Sequence, residues 1–506
     1  MRLSLVVAAL VLPATAHAFC GFYVGGAGAK LYNNATEVVL MRQGTTTVLA
    51  MENNYQGPPS QFAMVVPVPS VIKQAQVQTL PRAVFDKIDT LGAPRLVEYW
   101  EQDPCRPQIE EEDVMMAGEA VDAKAEDDSG DDRDKAPYHV KVEARFSVGE
   151  YDIEVLSATQ STGLDRWLHD HHYTIPDGAE PLLRPYIEQG MKWFVAKVDP
   201  KKVKFDPTTH MATLSPLRFF YDSPELTLPI RLGLANSNGT QDLIINILAP
   251  GDTRYEAANY PNVLIPTNLP VNNEVRARFG EFYAALFDHA IESQPHAVVT
   301  EYAWATSSCD PCPGPVLDPS DLATVGADVL GSRYQDANNF TLTRLHARYG
   351  KELGTDLVFR AVDPIEGGRG IPDQSGEVAM KPTLHAPSNN FQGRYMILHP
   401  WTGAMSCAAP VRGQWGGPPA GQQQIATQTA SNTAFAPRGR VQLASLIAKD
   451  VPSIGVLASN PTAPPTAKVR PPEACGGCAS TGGGVASLAS VALVGLALRR
   501  RPSRAR

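Results

Sequence analysis

The sequence predicts a β-rich α+β fold with antiparallel hairpins and several short helices. Proline and glycine are frequent, at 43 and 40 of 506 residues, which favours a protein with many turns over a helical bundle. The clearest periodic segment, 138–155, alternates apolar and polar side chains, as strands with one buried face do. The longest amphipathic helix is predicted at 274–292. Together these features indicate sheets with helices packed on them.

The first block of sequence predicts three strands. Segments 36–42 and 45–51 are rich in Val, Thr and Leu and flank Gln43-Gly44, a pattern typical of a hairpin. A third apolar run, 62–68, ends in a Pro-Val-Pro sequence. A β-rich start is therefore expected.

Two further patterns are informative. Apolar residues recur at helical intervals over 80–100 but are interrupted by Gly92 and Pro94, which predicts two short helices. Within 138–155, Gly149-Glu150 divides the alternation, and glycine supplies the positive φ that a two-residue hairpin turn needs. The remaining predicted elements are helices at 165–172 and 181–190, strands at 192–198, 227–234 and 242–249, the helix at 274–292, and strands at 297–304, 356–362 and 394–398.

Acidic charge is concentrated in one segment. Residues 110–135 contain twelve acidic and three basic residues, which equals the whole net charge of −9. Such a run predicts a solvated, disordered insertion, and its spacing matches no calcium loop. Nucleic-acid binding is disfavoured because no basic surface is concentrated in the sequence. No cofactor is predicted.

Both termini predict export. Residues 1–18 have a basic start, an apolar stretch and an Ala-His-Ala sequence, as secretory signal peptides do. Near the other end, the uncharged segment 479–498 is long enough to cross a bilayer, since about 20 helical residues span about 30 Å. The arginines that follow indicate which side stays inside. The membrane and the export machinery are therefore the predicted partners.

The predicted domain organisation follows from these boundaries. Residues 19–407 form an exported globular region of two subdomains that contains the acidic insertion at 110–135. Residues 408–474 are rich in Pro, Gly, Gln, Ala and Thr and predict a linker or stalk. Residues 475–506 carry the cysteine motif, the membrane segment and the arginines.

Seven cysteines are candidates for disulfides or for anchoring. Export permits disulfides, but the connectivity cannot be deduced from sequence. Cys475 and Cys478 belong to the tail motif. The disulfide candidates are Cys20, Cys105, Cys309, Cys312 and Cys407.

The Cys309-Asp-Pro-Cys312 motif has two interpretations. Two thiols three residues apart can close a structural disulfide, or can exchange disulfides as an oxidoreductase does. Pro311, Pro313 and Pro315 predict a rigid loop rather than the helix N-terminus of a redox site, which favours the structural interpretation.

Histidines are the other chemical candidates. His169 and His172 share a helix face at a spacing compatible with a metal, although exposed histidines at a helix end are common, and no metal site is assigned. His346 and His399 have no recognisable nucleophile partner, so they are expected to be structural. No catalytic residue is predicted.

Several motifs follow one another in order along the body of the chain: Cys20-Gly-Phe-Tyr-Val24, Met51-Glu-Asn-Asn-Tyr55, Leu164-Asp-Arg-Trp-Leu168, Leu214-Ser-Pro-Leu217, Leu228-Pro-Ile-Arg231 and Cys309-Asp-Pro-Cys312. With these motifs, residues 19–401 resemble the uncharacterised domain of unknown function family 2330. This family has no established activity, and the resemblance implies an exported bacterial envelope domain.

The tail, with Cys475-Gly-Gly-Cys478 and its terminal arginines, resembles the MYXO-CTERM sorting signal. The resemblance implies cleavage near the cysteines and surface display, whereas an ordinary C-terminal transmembrane helix is the alternative. The chain is thus expected to be an exported envelope protein with a structural or binding role. The alternative function is that of an exported thiol-disulfide oxidoreductase or metal-dependent hydrolase.

Overall fold

The structure is a computed structural model of the chain. It describes residues 22–24, 32–56, 63–105, 140–171, 173, 179–205, 212–236, 240–331, 340–350, 355–372, 378–379, 383–419, 427–431, 441–448 and 457–458. Several predicted features lie outside these residues: the signal peptide 1–18, Cys20, the acidic insertion 110–135, His172, and the tail 475–506 with Cys475, Cys478 and the segment 479–498.

The described residues are rich in strands. In the first half of the chain these are β1 Phe22–Val24, β2 Tyr32–Gln43, β3 Thr46–Gln56, β4 Ala63–Val68, β5 Val77–Thr79, β6 Arg95–Glu101, β7 Val140–Val148, β8 Tyr151–Ala158, β9 Lys192–Val198, β10 Lys204–Phe205, β11 Ala212–Thr213, β12 Leu217–Asp222, β13 Leu226–Leu228 and β14 Gln241–Pro250. In the second half they are β15 Arg254–Ala257, β16 Asn262–Leu264, β17 Leu269–Pro270, β18 Val298–Ala305, β19 Phe340–Tyr349, β20 Leu357–Val362, β21 Ile365–Gly367, β22 Ile371–Pro372, β23 Val378–Ala379, β24 Leu384–His385, β25 Asn390–Gln392, β26 Arg394–His399, β27 Trp415–Gly416, β28 Gln428–Thr429 and β29 Leu457–Ala458.

The α-helices in the described residues are short. They are α1 Arg82–Gly92, α2 Ser161–Asp170, α3 Glu180–Glu188, α4 Phe279–Ser293, α5 Pro319–Val325 and α6 Leu443–Leu446. Short segments of 3₁₀ helix occur at Gln74–Gln76, Arg231–Asn236, Asn273–Ala277 and Ala327–Val329. The predicted β-rich α+β fold is confirmed.

Three sheets organise the fold. The central sheet has twelve strands, with β18, β19, β14, β2 and β3 adjacent in its middle. The small sheet has the order β1-β4-β9-β8-β7. The edge sheet contains β17, β26, β6, β27 and β28. Strand β14 lies between β19 and β2 and is buried along nearly its whole length, so its continuous run of Leu and Ile reflects burial on both faces.

Successive side chains of β2 point to opposite faces of the central sheet and pack against different layers of the fold. Val38 and Leu40 pack in one cluster with Phe194 of the small sheet, so these two sheets form a sandwich. Val39 points to the other face and packs in a cluster with Phe85 of α1. Because the outer face of the small sheet is covered by α2 and α3, the body has four layers: helices, small sheet, central sheet and helices.

The predicted hairpins are confirmed. Strands β2 and β3 pair in antiparallel register, as do β7 and β8, in which Val148 is paired with Tyr151 across the two-residue connection. Gly149 has φ +56°, and a Cβ there would lie 2.7 Å from the Thr79 side chain, so both the turn and the close contact require glycine.

Two predicted elements are wrong. The second helix predicted within 80–100 is strand β6, which pairs in parallel with β26, a partner about 300 residues away that no local pattern reveals. The strand predicted at 227–234 is limited to β13, and 3₁₀ helix Arg231–Asn236 follows. Pro229 has no N–H for a ladder and ends that strand.

Other boundaries need correction as well. The helix predicted at 274–292 begins at Phe279, after a separate 3₁₀ turn. Within the predicted linker or stalk at 408–474, β27 and β28 pair with β6, and β29 pairs with β16. The described residues from Phe22 to Ala458 belong to one compact unit. The division of 19–407 into two subdomains stays a prediction.

None of the described helices is both long enough and apolar enough to cross a bilayer.

Candidate functional site

Two disulfides join four of the five predicted disulfide cysteines. Cys105, just after β6, is bonded to Cys407, with 302 residues of separation. Cys309 is bonded to Cys312 within the loop between β18 and α5. The fifth candidate, Cys20, lies outside the described residues.

The loop that contains the second disulfide places a carboxylate against arginines. Asp310 lies between the two bonded cysteines, and its Oδ2 accepts a hydrogen bond of 2.9 Å from Arg369 Nη1. The same oxygen is 3.6 Å from Arg394 Nη2, which also donates to the Asp310 carbonyl oxygen. The disulfide thus holds a short acidic loop over a basic group of residues.

We call Arg95, Arg369 and Arg394, with Tyr302 and Gln392, the arginine cluster. Arg95 begins β6 and is the cross-strand partner of Arg394 in β26, while Tyr302 of β18 is the partner of Gln392 in β25. Arg369 follows β21 and its guanidinium carbon lies 4.2 Å from the centre of the Trp304 ring. The edge sheet, the central sheet and one loop therefore converge at this site.

Hydrogen bonds hold Arg394 firmly. Its Nε and Nη2 donate to Gln392 Oε1 at 3.1 and 3.0 Å, and its Nη1 donates to the Tyr99 hydroxyl at 3.3 Å. Tyr99 donates in turn to the Gly370 carbonyl at 3.0 Å. These hydrogen bonds fix the position of the Arg394 guanidinium.

Arg95 is much less satisfied. Its Nη2 donates to the Leu91 carbonyl at the end of α1 at 2.8 Å, but among the described residues its Nε and Nη1 form no well-aligned hydrogen bond, and the neighbouring group is the Tyr302 hydroxyl. Gln392 Nε2 has no hydrogen-bond partner within that part of the chain. Burial, together with the neighbouring Arg394, lowers the pKa of Arg95 to about 10, although Tyr302 and Asp310 oppose this.

A second polar group lies between α1 and α4, on the helix-covered face of the central sheet. Glu301 sits at a β-bulge in β18 and is fully buried. One of its oxygens accepts from Arg344 Nε at 2.7 Å. The other is bonded to the Tyr283 hydroxyl at 2.6 Å and to His346 Nδ1 at 2.8 Å. Arg344 also donates to Asp89 at 2.5 Å.

We call Asp89, Tyr283, Glu301, Arg344 and His346 the buried ion network. Although burial alone would raise it, the pKa of Glu301 is held at about 2 because His346, Arg344 and Tyr283 stabilise the ionised form. The His346 ring is stacked on Phe287 of α4, with 3.5 Å between ring centres. These contacts hold the His346 ring at Nδ1 and on one face, while its Nε2 lies 3.9 Å from Asp242 Oδ1. The structural role expected for His346 stays a prediction.

Two further carboxylates lie on neighbouring strands of the central sheet. Glu37 of β2 is the cross-strand partner of Glu52 of β3. Burial raises the pKa of both groups, that of Glu52 to about 7 against the opposing effect of Arg82. Asn246 of β14 donates to Glu37 at 2.6 Å. Ionisation is therefore unfavourable at this end of the central sheet.

We expect Glu52→Gln to stabilise the protein above pH 7. An acid whose pKa rises on folding contributes stability below its unfolded pKa of 4.5, and this stability is lost as the pH rises to about 7. The gain in unfolding free energy is on the order of 2 to 3 kcal/mol at pH 8 and small at pH 4. Urea unfolding at both pH values measures it. An equal effect of Glu52→Gln at pH 4 and pH 8 would contradict the assigned pKa.

His399, the other histidine considered as a base, also has a carboxylate partner. Its Nε2 lies 2.6 Å from Glu98 Oε2, and its ring is stacked on Trp100 with 4.7 Å between centres. Arg276 Nε donates to Glu98 at 2.6 Å, and these hydrogen bonds outweigh burial and lower the pKa of Glu98. This group joins the edge sheet to the turn before α4.

The predicted histidine cluster is only partly described. His169, at the end of α2, is largely exposed and lies 4.0 Å from Asp165 one turn earlier. His171 is stacked on Trp167, with 3.8 Å between ring centres. Within the described residues, no group of three or more His, Cys, Asp or Glu side chains is arranged to hold a metal ion.

Sequence reasoning missed the arginine cluster and the buried ion network. Arg95, Arg344 and Arg394 are each buried within strands whose neighbouring residues are largely apolar. A charged residue inside such a strand is the one local signal available, because buried charges need partners. The partners come from distant segments, so the sequence alone did not bring them together.

Comparison with known proteins identifies the family. A family model described as an uncharacterised protein conserved in bacteria, DUF2330, matches residues 13–360. The chain belongs to this family. The match ends well before the 401 expected from the motifs, so Asp310 lies inside it, whereas Arg369 and Arg394 lie beyond it. No curated protein and no solved structure gives a significant match.

Proposed function

We propose that this DUF2330 protein is exported and acts in the cell envelope as a binding protein, not as an enzyme. The observation that carries the proposal is the Cys105–Cys407 disulfide, which joins residues 302 positions apart. Such bonds form and persist in oxidising compartments and are rare in the cytosol. Residues 1–18 supply the secretory signal that delivery to such a compartment needs.

The tail gives the second half of the proposal. Residues 475–506 resemble a sorting signal that halts in the membrane and is then cleaved near Cys475 and Cys478. The mature protein is displayed at the outer surface if the tail is processed, and is held by segment 479–498 if it is not. The membrane and the export and processing machinery are its partners in this account.

The geometry does not favour the enzymatic alternatives. Cys309 lies in the loop between β18 and α5, before the helix begins at Pro319, whereas thiol-disulfide oxidoreductases place the reactive cysteine at a helix N-terminus. A hydrolase that uses His169 and His172 would need a set of metal ligands, and among the described residues no group of three or more His, Cys, Asp or Glu side chains could hold a metal ion. A structural or binding role is therefore better supported than either enzymatic alternative, and the binding role is the one we propose.

Cell fractionation tests the proposal. We expect the full-length gene product in the envelope fraction, and we expect deletion of 475–506 to release a folded protein into the periplasm or medium. The substitution of Cys475 and Cys478 by serine is the matched control for processing. Recovery of both forms in the cytoplasm, with no difference caused by the deletion, would contradict the proposal.

A further inference from the structure

The arginine cluster has more positive charge than the described residues neutralise. Arg95, Arg369 and Arg394 lie close enough that Arg394 lowers the pKa of both Arg95 and Arg369, in addition to the effect of burial. Among the described residues, Asp310 is the one carboxylate that forms ion pairs with them. Buried charges are normally paired, so three guanidiniums against one described carboxylate leave an excess of positive charge in this part of the structure.

The hydrogen-bond donors of the cluster are also in excess. Arg95 Nε and Nη1 and Gln392 Nε2 are hydrogen-bond donors, and the Tyr302 hydroxyl can also donate. All three side chains are fully buried. Within the described part of the chain Gln392 Nε2 has no hydrogen-bond partner, and the Arg95 Nε and Nη1 atoms have at most the neighbouring Tyr302 hydroxyl. A buried polar group in this state requires an explanation. Since the group is made of donors, its complement is an acceptor with several oxygens.

Solvent reaches the cluster from one side. Half of the Asp310 side chain and 16% of the Arg369 side chain are exposed, whereas Arg95 is fully buried. The Asp310 carboxylate therefore closes the open end of the cluster. Exposure falls from Arg369 to Arg394 and Arg95, which are both buried.

We propose that the arginine cluster binds a dianionic oxyanion ligand, which displaces the carboxylate of Asp310. Two negative charges compensate most of the three guanidiniums once Asp310 has moved away, and guanidinium pairs well with both carboxylate and phosphate oxygens. The ring of Trp304, over which Arg369 is stacked, keeps that guanidinium oriented. The inference gives a ligand class to the binding role proposed above and in that sense rests on it.

The test is isothermal titration of the purified full chain in detergent at pH 7 and constant ionic strength. Succinate and inorganic phosphate are the two probes. Tighter binding of succinate indicates that the ligand is a dicarboxylate, and tighter binding of phosphate indicates that it is a phosphate compound. Saturable binding of either at millimolar concentration or below supports the proposal. Absence of binding by both at 10-fold higher concentration, about 10 mM, overturns it.

Variants at the exposed end of the cluster locate the binding. Arg369→Gln removes a charge-assisted hydrogen bond, and we expect it to weaken binding about tenfold or more. Asp310→Asn removes the competing carboxylate, so binding tightens roughly fivefold, the factor that corresponds to an exposed ion pair. Unchanged affinity in Arg369→Gln would overturn the proposal.

The matched control is Arg184→Gln on α3, where an exposed arginine is paired with Glu180. This change removes the same charge outside the arginine cluster, and we expect no effect on anion affinity. An equal loss in Arg184→Gln and Arg369→Gln would indicate a general charge effect and would overturn the site. The titration uses purified protein, so a titration without binding does not contradict the proposal of export. A fractionation that contradicts export likewise does not change the result of the titration.

Discussion

Replacing Cys105 and Cys407 together by serine is expected to lower the free energy of unfolding by about 5 kcal/mol. The bond closes a loop of about 300 residues, and in the chain-entropy model the loss grows with loop length. Urea unfolding of the oxidised protein and of the double variant measures the difference. A loss of this size is comparable to the whole stability of many domains, so the reduced protein should unfold readily at 37 °C.

The second disulfide supplies the control. Cys309 and Cys312 are only three residues apart in sequence, and the same model gives about 2 kcal/mol for so short a loop. The Cys309→Ser, Cys312→Ser variant removes the same number of sulfur atoms and should lose less than half as much. Equal losses in the two variants would contradict the loop-closure account of the Cys105–Cys407 bond.

Glu301→Gln is expected to destabilise the protein by about 3 to 5 kcal/mol. The change removes the carboxylate charge next to Arg344 and His346. The buried Arg344 then keeps only Asp89 as an acidic partner within the buried ion network. Urea unfolding at pH 7 measures the loss. The matched control is Glu154→Gln, which breaks the exposed pair with Arg145 and should cost less than about 1 kcal/mol.

The difference in unfolding free energy between the unchanged protein and Glu301→Gln is expected to depend on pH. The pKa of Glu301 falls from 4.5 to about 2 on folding, so its ionised form contributes stability that is complete above pH 4.5 and is lost as the pH falls towards 2. The deficit of Glu301→Gln should therefore shrink between pH 4.5 and pH 2. A deficit that stays constant over this interval would show that the Glu301 charge is not the cause.

Local pattern predicted those parts of the fold whose contacts are also local. Hairpin β7–β8 is visible because alternating residues and Gly149 lie within twenty positions. Strand β6 was mistaken for a helix because its partner β26 lies about 300 residues away and the apolar spacing before Pro94 suits a helix. Strands β27 and β28, within the predicted linker or stalk, were missed for the same reason, since both pair with β6.

The candidate site shows the same limit. The motif Cys309-Asp-Pro-Cys312 identified the loop, and its disulfide is the interpretation the sequence favoured, yet nothing local indicated that Asp310 faces Arg369 and Arg394. Likewise, the pairing of Cys105 with Cys407 depends on the approach of the chain after β26 to the end of β6. Such contacts are set by topology, which single-sequence periodicity does not encode.

The central claim is that the protein works outside the cytoplasm. It is tested by the mass and the disulfide state of the chain recovered from its own cells. Alkylation of free thiols before lysis, followed by mass spectrometry, measures both the mass and the disulfide state. We predict a chain that begins at Phe19, with Cys105 and Cys407 protected from alkylation by their bond. A chain that still begins at Met1, with Cys105 and Cys407 both alkylated, would contradict the account.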